Sequence, residues 1–317
     1  MPPRILIAEP VDFSPEAVRL LNSVGDVTLA ATDREGLAAA LADYDVVWFR
    51  LAHSVDRAML ERATRCRILA TPVTGLDHID LDACAARGIR VVSLRGEVAF
   101  LEQVRGTAEL TLALALALLR NIPQAAADVR AGGWNRDRFR GRELFGHTAG
   151  IVGLGRLGKI VAGYFRAFGM TVIGYDPRED FPHDLATRID SLVELVSRSD
   201  VVTLHVSYDT STRHLIGPQV FSAMKRGAYL INTSRGGIVD ERALVNALES
   251  GTLAGAALDV LDGEPAISAD HPLVAYARAH DNLLIVPHIG GSTVESFAKT
   301  EVFLAGKVLE ALRDRGC

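Results

Sequence analysis

Ile151-Val152-Gly153-Leu154-Gly155-Arg156-Leu157-Gly158-Lys159 is the stretch on which the reading of this chain turns. It carries the glycine pattern GxGxxG. The pattern alone is weak, but here it follows a β-rich run and opens a helical one, as its mechanism requires. Gly153 permits the tight turn, Gly155 lets the backbone approach a pyrophosphate, and Gly158 lets helix and strand pack closely. Phosphates then meet the free N–H groups of the helix start, at Arg156 and Leu157. The next β-rich run, residues 171–175, ends at Asp176, about 20 residues after the glycines, where an acid can accept hydrogen bonds from the adenosine ribose. That carboxylate would repel a 2′-phosphate and so favours NAD over NADP. Arg178 is the neighbour that could offset it.

Outward from this unit the same rhythm continues. Strands are expected at residues 149–152, 171–175, 201–205, 229–232, 254–258 and 283–286, and a helix over 294–313. Before it, strands are expected at 4–8, 27–30, 45–49, 67–70 and 89–93. A helix starts at Pro15 behind Ser14, and another spans 81–87 and stops at Gly88. Strand–helix alternation predicts parallel sheets covered on both faces. Between the two series lies an apolar helix expected over 101–120, whose run 110–119 is too short for a membrane span of about 20 residues. A Gly- and Arg-rich arm follows over 131–142. The expected fold is therefore α/β, with two doubly wound parallel-sheet domains. The final helix is expected to return to the first domain, since the second sheet is complete without it.

Composition agrees. The 317 residues are 49% hydrophobic, 23% charged and only 6% aromatic, a balance that suits α/β cores. Net charge is −5 without a basic run, which argues against nucleic acid as a partner. The three cysteines, Cys66, Cys84 and Cys317, fit no metal or CxxC spacing. They read as reduced thiols of a cytoplasmic protein, and no metal site is expected. The N-terminus lacks the apolar region of a signal peptide.

Further motifs fall at expected strand ends, the side where open α/β sheets bind ligands. Asn232-Thr233-Ser234-Arg235-Gly236-Gly237 follows one strand. Ala257-Leu258-Asp259 closes the next and leads to Asp262-Gly263-Glu264-Pro265. Val286-Pro287-His288-Ile289-Gly290-Gly291 follows the last. Reduction of a 2-oxo acid needs a hydride and a proton. His288 is the candidate whose ordinary pKa suits both directions near neutral pH. Glu264 is expected to orient it, and Arg235 to grip a substrate carboxylate and polarise the carbonyl.

On these motifs the chain resembles the D-isomer-specific 2-hydroxyacid dehydrogenase family, with matches at Thr74-Gly75-Leu76-Asp77-His78-Ile79-Asp80, Ala108-Glu109, Leu204-His205-Val206 and Thr212 besides those above. The resemblance implies a Rossmann NAD-binding domain, residues 101–288, inserted into a flavodoxin-like substrate domain, residues 1–100 and 289–317. It implies a catalytic triad of Arg235, Glu264 and His288, and a nicotinamide contact at Asp259. Further cofactor contacts are implied at Thr74, His205, Val206, Ser207, Thr212, Thr233 and Gly290. Backbone N–H groups of Thr74, Gly75 and Leu76 would hold the substrate carboxylate. Arg50 would meet a second anionic group, phosphate or phosphonate, as in phosphoglycerate dehydrogenase-like members, and Arg95 and Arg105, which flank a loop that borders the site in the family, are expected to join it. The apolar helix and the arm would form a homodimer.

Two features depart from the family pattern. Ser207-Tyr208 replaces a usual Pro, and the loop 93–100 lacks the Asn and Pro common in phosphoglycerate dehydrogenases. No C-terminal regulatory domain is expected after the last helix. The expected function is hydride transfer between NAD(H) and a 2-oxo or 2-hydroxy acid of D configuration. The alternative is an NAD-sensing binding protein or co-repressor on the same fold. A formate-type enzyme is disfavoured, because that group carries a neutral residue where this chain has Glu264.

Overall fold

The computed structural model describes residues 1–314, so Cys317 lies outside the described residues. The chain divides into two compact units, Met1–Val104 with the segment from Thr293 onward, and Arg105–Ser292.

In the first unit the strands are β1 (Arg4–Ile7), β2 (Asp26–Leu29), β3 (Val46–Trp48), β4 (Ile68–Ala70) and β5 (Arg90–Val92). They form one parallel sheet in the order β2-β1-β3-β4-β5, the flavodoxin-like order. The central strands β3 and β4 are buried along their whole length, as expected where helices cover both faces of a parallel sheet. One face packs Leu37, Leu41, Leu60 and Leu69 into a core. The other packs Ile5, Trp48 and Ile68 against Leu304 and Val308 of helix Val294–Arg313. That helix starts cleanly, with the Thr293 hydroxyl accepting from Ser296 N at 3.0 Å.

The second unit holds β6 (Thr148–Val152), β7 (Thr171–Tyr175), β8 (Thr187–Arg188), β9 (Val201–Leu204), β10 (Ala228–Asn232), β11 (Leu253–Leu258) and β12 (Leu283–Ile285). All run parallel in the order β12-β11-β10-β9-β6-β7-β8. Strand β8 is an addition to the expected set. With two residues at the sheet edge, it is too short to leave an apolar pattern. Helices Arg34–Asp43 and Arg57–Glu61 also escaped the reading. Each begins on an Asp side chain, Asp33 and Asp56, which is the signal that could have found them.

The expected helix over 101–120 is broken. Val98–Leu101 ends in a turn, and Gly106–Leu119 begins after Arg105, at the border between the two units. Apolar periodicity does not register a break of four polar or ambiguous residues. No single helix among the described residues is long and apolar enough to cross a membrane. Leu114, Ala115, Leu118 and Leu119 are buried in the core beneath β10 and β11. Cys66 and Cys84 are buried free thiols. Burial pushes Cys66 up to about 12 and Cys84 up to about 11, which leaves both protonated and unreactive at neutral pH.

Candidate active site

In the second unit, strand order reverses between β6 and β9, and ligands of open α/β sheets bind at such a switch point. Gly153 follows β6 with φ +88°. A Cβ there would lie 2.5 Å from the His205 carbonyl oxygen beyond β9, so only glycine fits. At Gly158 a Cβ would stand 2.0 Å from the Gly153 carbonyl oxygen. The helix Arg156–Ala167 therefore packs tightly and directs its first N–H groups at the loop. Asp176 ends β7 and is almost fully buried. Burial alone would raise its pKa, but hydrogen bonds from Arg178 and from the Arg178 and Leu154 N–H groups outweigh that and hold it down to about 2. His205 bonds Thr203 through Nε2 at 2.9 Å, while its buried Nδ1 has no partner. Burial pushes this imidazole down to about 3 and keeps it neutral. The glycine cradle, the helix start, the acid beyond β7 and this orphaned nitrogen fit a dinucleotide.

Other expected cofactor residues are placed less openly. The Thr233 hydroxyl is buried against Thr111 Oγ1 at 2.8 Å, which leaves its main chain for any ligand contact. The Thr212 hydroxyl donates to the Ser207 carbonyl oxygen at 2.8 Å and fixes the loop of Val206 and Ser207.

Arg235, Asp259 and His288 follow β10, β11 and β12, neighbouring strands of the same sheet. Glu264 Oε1 lies 2.9 Å from His288 Nδ1, and both side chains are about a quarter exposed. His288 itself has φ +52°, a costly conformation for a non-glycine residue and one concentrated at functional sites. It is imposed from below. Asp259 carboxylate oxygens accept from Ile289 N at 2.6 Å and Gly290 N at 2.9 Å, and the Asp259 carbonyl oxygen accepts from His288 N at 2.8 Å. Burial pushes the Asp259 carboxyl up to about 6, against those N–H groups and His288.

The Arg235 loop is shaped by Asn232. Its Oδ1 accepts from Ser234 N at 3.0 Å, and its Nδ2 donates to the Arg235 carbonyl oxygen at 2.9 Å. Sequence reasoning gave Asn232 no role and missed Glu241 altogether. Glu241 Oε1 accepts from Asp262 N at 2.9 Å and its Oε2 meets His271 Nε2 at 3.3 Å, steadying the loop that carries Glu264. No local pattern links these residues.

In the first unit, Thr74-Gly75-Leu76 follows β4, with Thr74 exposed and Leu76 buried. Arg95 and Arg105 are exposed. Arg50 differs from the expectation of an available guanidinium. Its Nε and Nη2 donate to Glu301 Oε1 at 3.1 and 2.5 Å, and its Nη1 donates to the Val11 carbonyl oxygen at 3.1 Å. Its guanidinium carbon also lies 4.2 Å from the centroid of the Phe297 ring. Glu301 is completely buried, and its other oxygen accepts from Ser14 N at 2.7 Å. The charge offered to a second anion is thus already met inside the fold. Among the described residues no cluster of three or more His, Cys, Asp or Glu could hold a metal ion.

The glycine cradle, the acid after β7 and the strand-end pair His288–Glu264 define the second unit as a nicotinamide-dinucleotide-binding domain of the Rossmann type. A family model described as the D-isomer specific 2-hydroxyacid dehydrogenase, NAD binding domain, matches residues 112–290. The chain belongs to the D-isomer specific 2-hydroxyacid dehydrogenase family. It is 38% identical over 316 residues to the D-3-phosphoglycerate dehydrogenase of Methanocaldococcus jannaschii, covering 98% of this chain but 57% of that protein. This chain therefore spans little more than half the length of that relative. Among solved structures it resembles the TT0316 protein from Thermus thermophilus, at 34% identity and TM-score 0.85, covering 98% and 97% of the two chains. It also resembles D-lactate dehydrogenase from Aquifex aeolicus complexed with NAD and lactic acid, at 31% identity and TM-score 0.84, covering 98% and 95%.

Proposed function

We propose that this chain transfers a hydride between NAD(H) and the 2-carbon of a D-2-hydroxy or 2-oxo acid. The observation that carries the reading is the His288–Glu264 pair at 2.9 Å, partly exposed, with the His288 segment held by Asp259 at the end of the NAD-binding sheet. When bound, the nicotinamide supplies or accepts the hydride. The remaining work belongs to the chain. His288 gives a proton to the carbonyl oxygen in reduction and takes it from the hydroxyl in oxidation, through Nε2, because Nδ1 faces Glu264. Glu264 stabilises the protonated imidazole and fixes its orientation. Arg235 binds the carboxylate and polarises the carbonyl. Backbone N–H groups of Thr74, Gly75 and Leu76 are assigned to the substrate carboxylate, and Gly153, Gly155, Arg156, Leu157, Gly158 and Asp176 to the dinucleotide. The first unit is read as the substrate domain and the second as the cofactor domain.

The finer reading is a substrate with a second anionic group, phosphate or phosphonate. It rests on the relatives named for phosphoglycerate and on exposed Arg95 and Arg105, without Arg50. A homodimer is supported by the exposed Ile122, Val129, Trp134 and Phe145 around the arm of the second unit, and a cytoplasmic location is part of the same proposal. The NAD-sensing alternative gains no support from the relatives' names. NADH oxidation against a panel of 2-oxo acids, with and without a second anion, tests the reading. Turnover with at least one member is expected, and none with any of them would overturn it.

A further inference from the structure

Arg235 and Glu264 stand on different loops of the second unit, and one carboxylate joins those loops. After Arg235 the main chain makes a short turn, Gly236–Ile238, and then enters the helix Glu241–Glu249. A Cβ on Gly236 would stand 1.9 Å from the Leu261 carbonyl carbon and 2.1 Å from Asp262 N. The two backbones therefore touch just ahead of Glu264. At that contact Asp262 N donates to Glu241 Oε1 at 2.9 Å.

Beyond the contact, packing does little to direct the chain. Gly263, at φ +85°, separates Asp262 from Glu264, and a Cβ there would meet nothing within 4 Å. Glycine in open space is the least restrained of residues. The bond to Glu241 fixes the chain on the near side of that glycine. Glu241 is itself held. Its Oε2 meets His271 Nε2 at 3.3 Å, with the two side chains 20% and 14% exposed. His271 Nδ1 is buried without a partner. A proton there would be a buried donor with no acceptor, so the ring proton belongs on Nε2, where it points at the carboxylate. The Asp262 carboxylate, which repels the Glu241 charge, and His214, which favours it, also face Glu241.

We propose that Glu241 is a positioning residue for Glu264. It sets where that carboxylate stands beside His288 by tying the Glu264 segment to the helix that follows Arg235, with His271 as its anchor. This rests on the proposed acid–base roles of Glu264 and His288 and names a group outside the reacting atoms on which they depend.

The test is a double-mutant cycle in kcat/KM for NADH-dependent reduction of the best 2-oxo acid in the panel. It compares the unmodified full chain, Glu241→Ala, Glu264→Ala and the double variant, with the NADH Kd of each from fluorescence titration. Glu241→Ala should lower kcat/KM by roughly tenfold to a hundredfold, the range for a lost charge-assisted bond or a group misplaced by about 1 Å, while the NADH Kd stays near its original value. With Glu264→Ala already present, the same change should cost less than about threefold, since no side chain is left to position. Glu241→Gln keeps an oxygen for the Asp262 N–H and should recover most of the loss. If the alanine variant does not fold, Glu241→Asp, too short to reach both partners, takes its place in the cycle. Equal losses in the two backgrounds overturn the proposal. So does an unchanged kcat/KM, or an NADH Kd weakened by the same factor as kcat/KM. An unmodified chain that turns over no 2-oxo acid overturns the acid–base reading itself, and the positioning role falls with it.

Discussion

Two glutamates with basic partners behave oppositely in this molecule. Glu264, in the second unit, meets one imidazole nitrogen and leaves a quarter of its side chain to solvent. Glu301, in the first, is wholly enclosed, with a guanidinium on one oxygen and a backbone N–H on the other. The first pair has an imidazole as its partner and leaves room for a third group. The second has neither. A buried pair holds structure, and removing one partner costs far more than the pair contributes. A partly exposed pair beyond the strand ends is suited to moving a proton.

The largest effect that would break this contrast lies at His288. His288→Asn should lower kcat by roughly 10²–10⁴-fold, the usual contribution of general acid–base catalysis, while NADH binding by fluorescence stays near its original strength. A variant with near-normal kcat would remove the proton-transfer assignment.

Arg50 should respond in stability instead. Arg50→Ala leaves Glu301 charged in the core and should cost about 3–5 kcal/mol in urea unfolding. Replacing both partners, Arg50→Met with Glu301→Leu, should recover much of that loss. A single variant that unfolds normally but loses only activity on anionic substrates would return Arg50 to the substrate site.

Glu264→Gln should be milder. It keeps the hydrogen bond but not the charge, so we expect partial activity, lower by roughly tenfold to a hundredfold if a charge-assisted bond of about 1.5–3 kcal/mol is lost. The loss should be steepest on the alkaline side of the reductive direction. A pH–rate profile of unchanged shape would deny Glu264 its role beside His288.

The smallest effect concerns Asp259, buried like Glu301 but without a basic partner of the Arg50 kind. Its folded pKa of about 6 lies above an unfolded value of about 4. Stability from its neutral form is therefore complete below about 4 and is lost as pH rises through about 6. Thermal unfolding of the unmodified chain should decline across that window relative to Asp259→Asn. Parallel pH curves would show that the carboxyl is not raised.

What the sequence determined by itself was everything carried by contiguous residues. The glycine loop, its strand and helix, and Asp176 lie within one βαβ unit, where spacing along the chain dictates position in space. The strand-end motifs of Arg235, Asp259 and His288 could likewise be assigned, because each follows an apolar run that ends at the same edge of a parallel sheet. Tertiary structure decided which charges were available. Arg50 and Glu301 are 251 residues apart, and no local periodicity tells an arginine that it will be met by a carboxylate from the last helix. The same holds for Thr111 closing on the Thr233 hydroxyl and Glu241 steadying the Glu264 loop. Even Arg178, two residues from Asp176, could be named as a neighbour but not oriented, since a flexible side chain takes its direction from what surrounds it. Backbone pattern is a local property, whereas the pairing and burial of a charge depend on the whole packed fold.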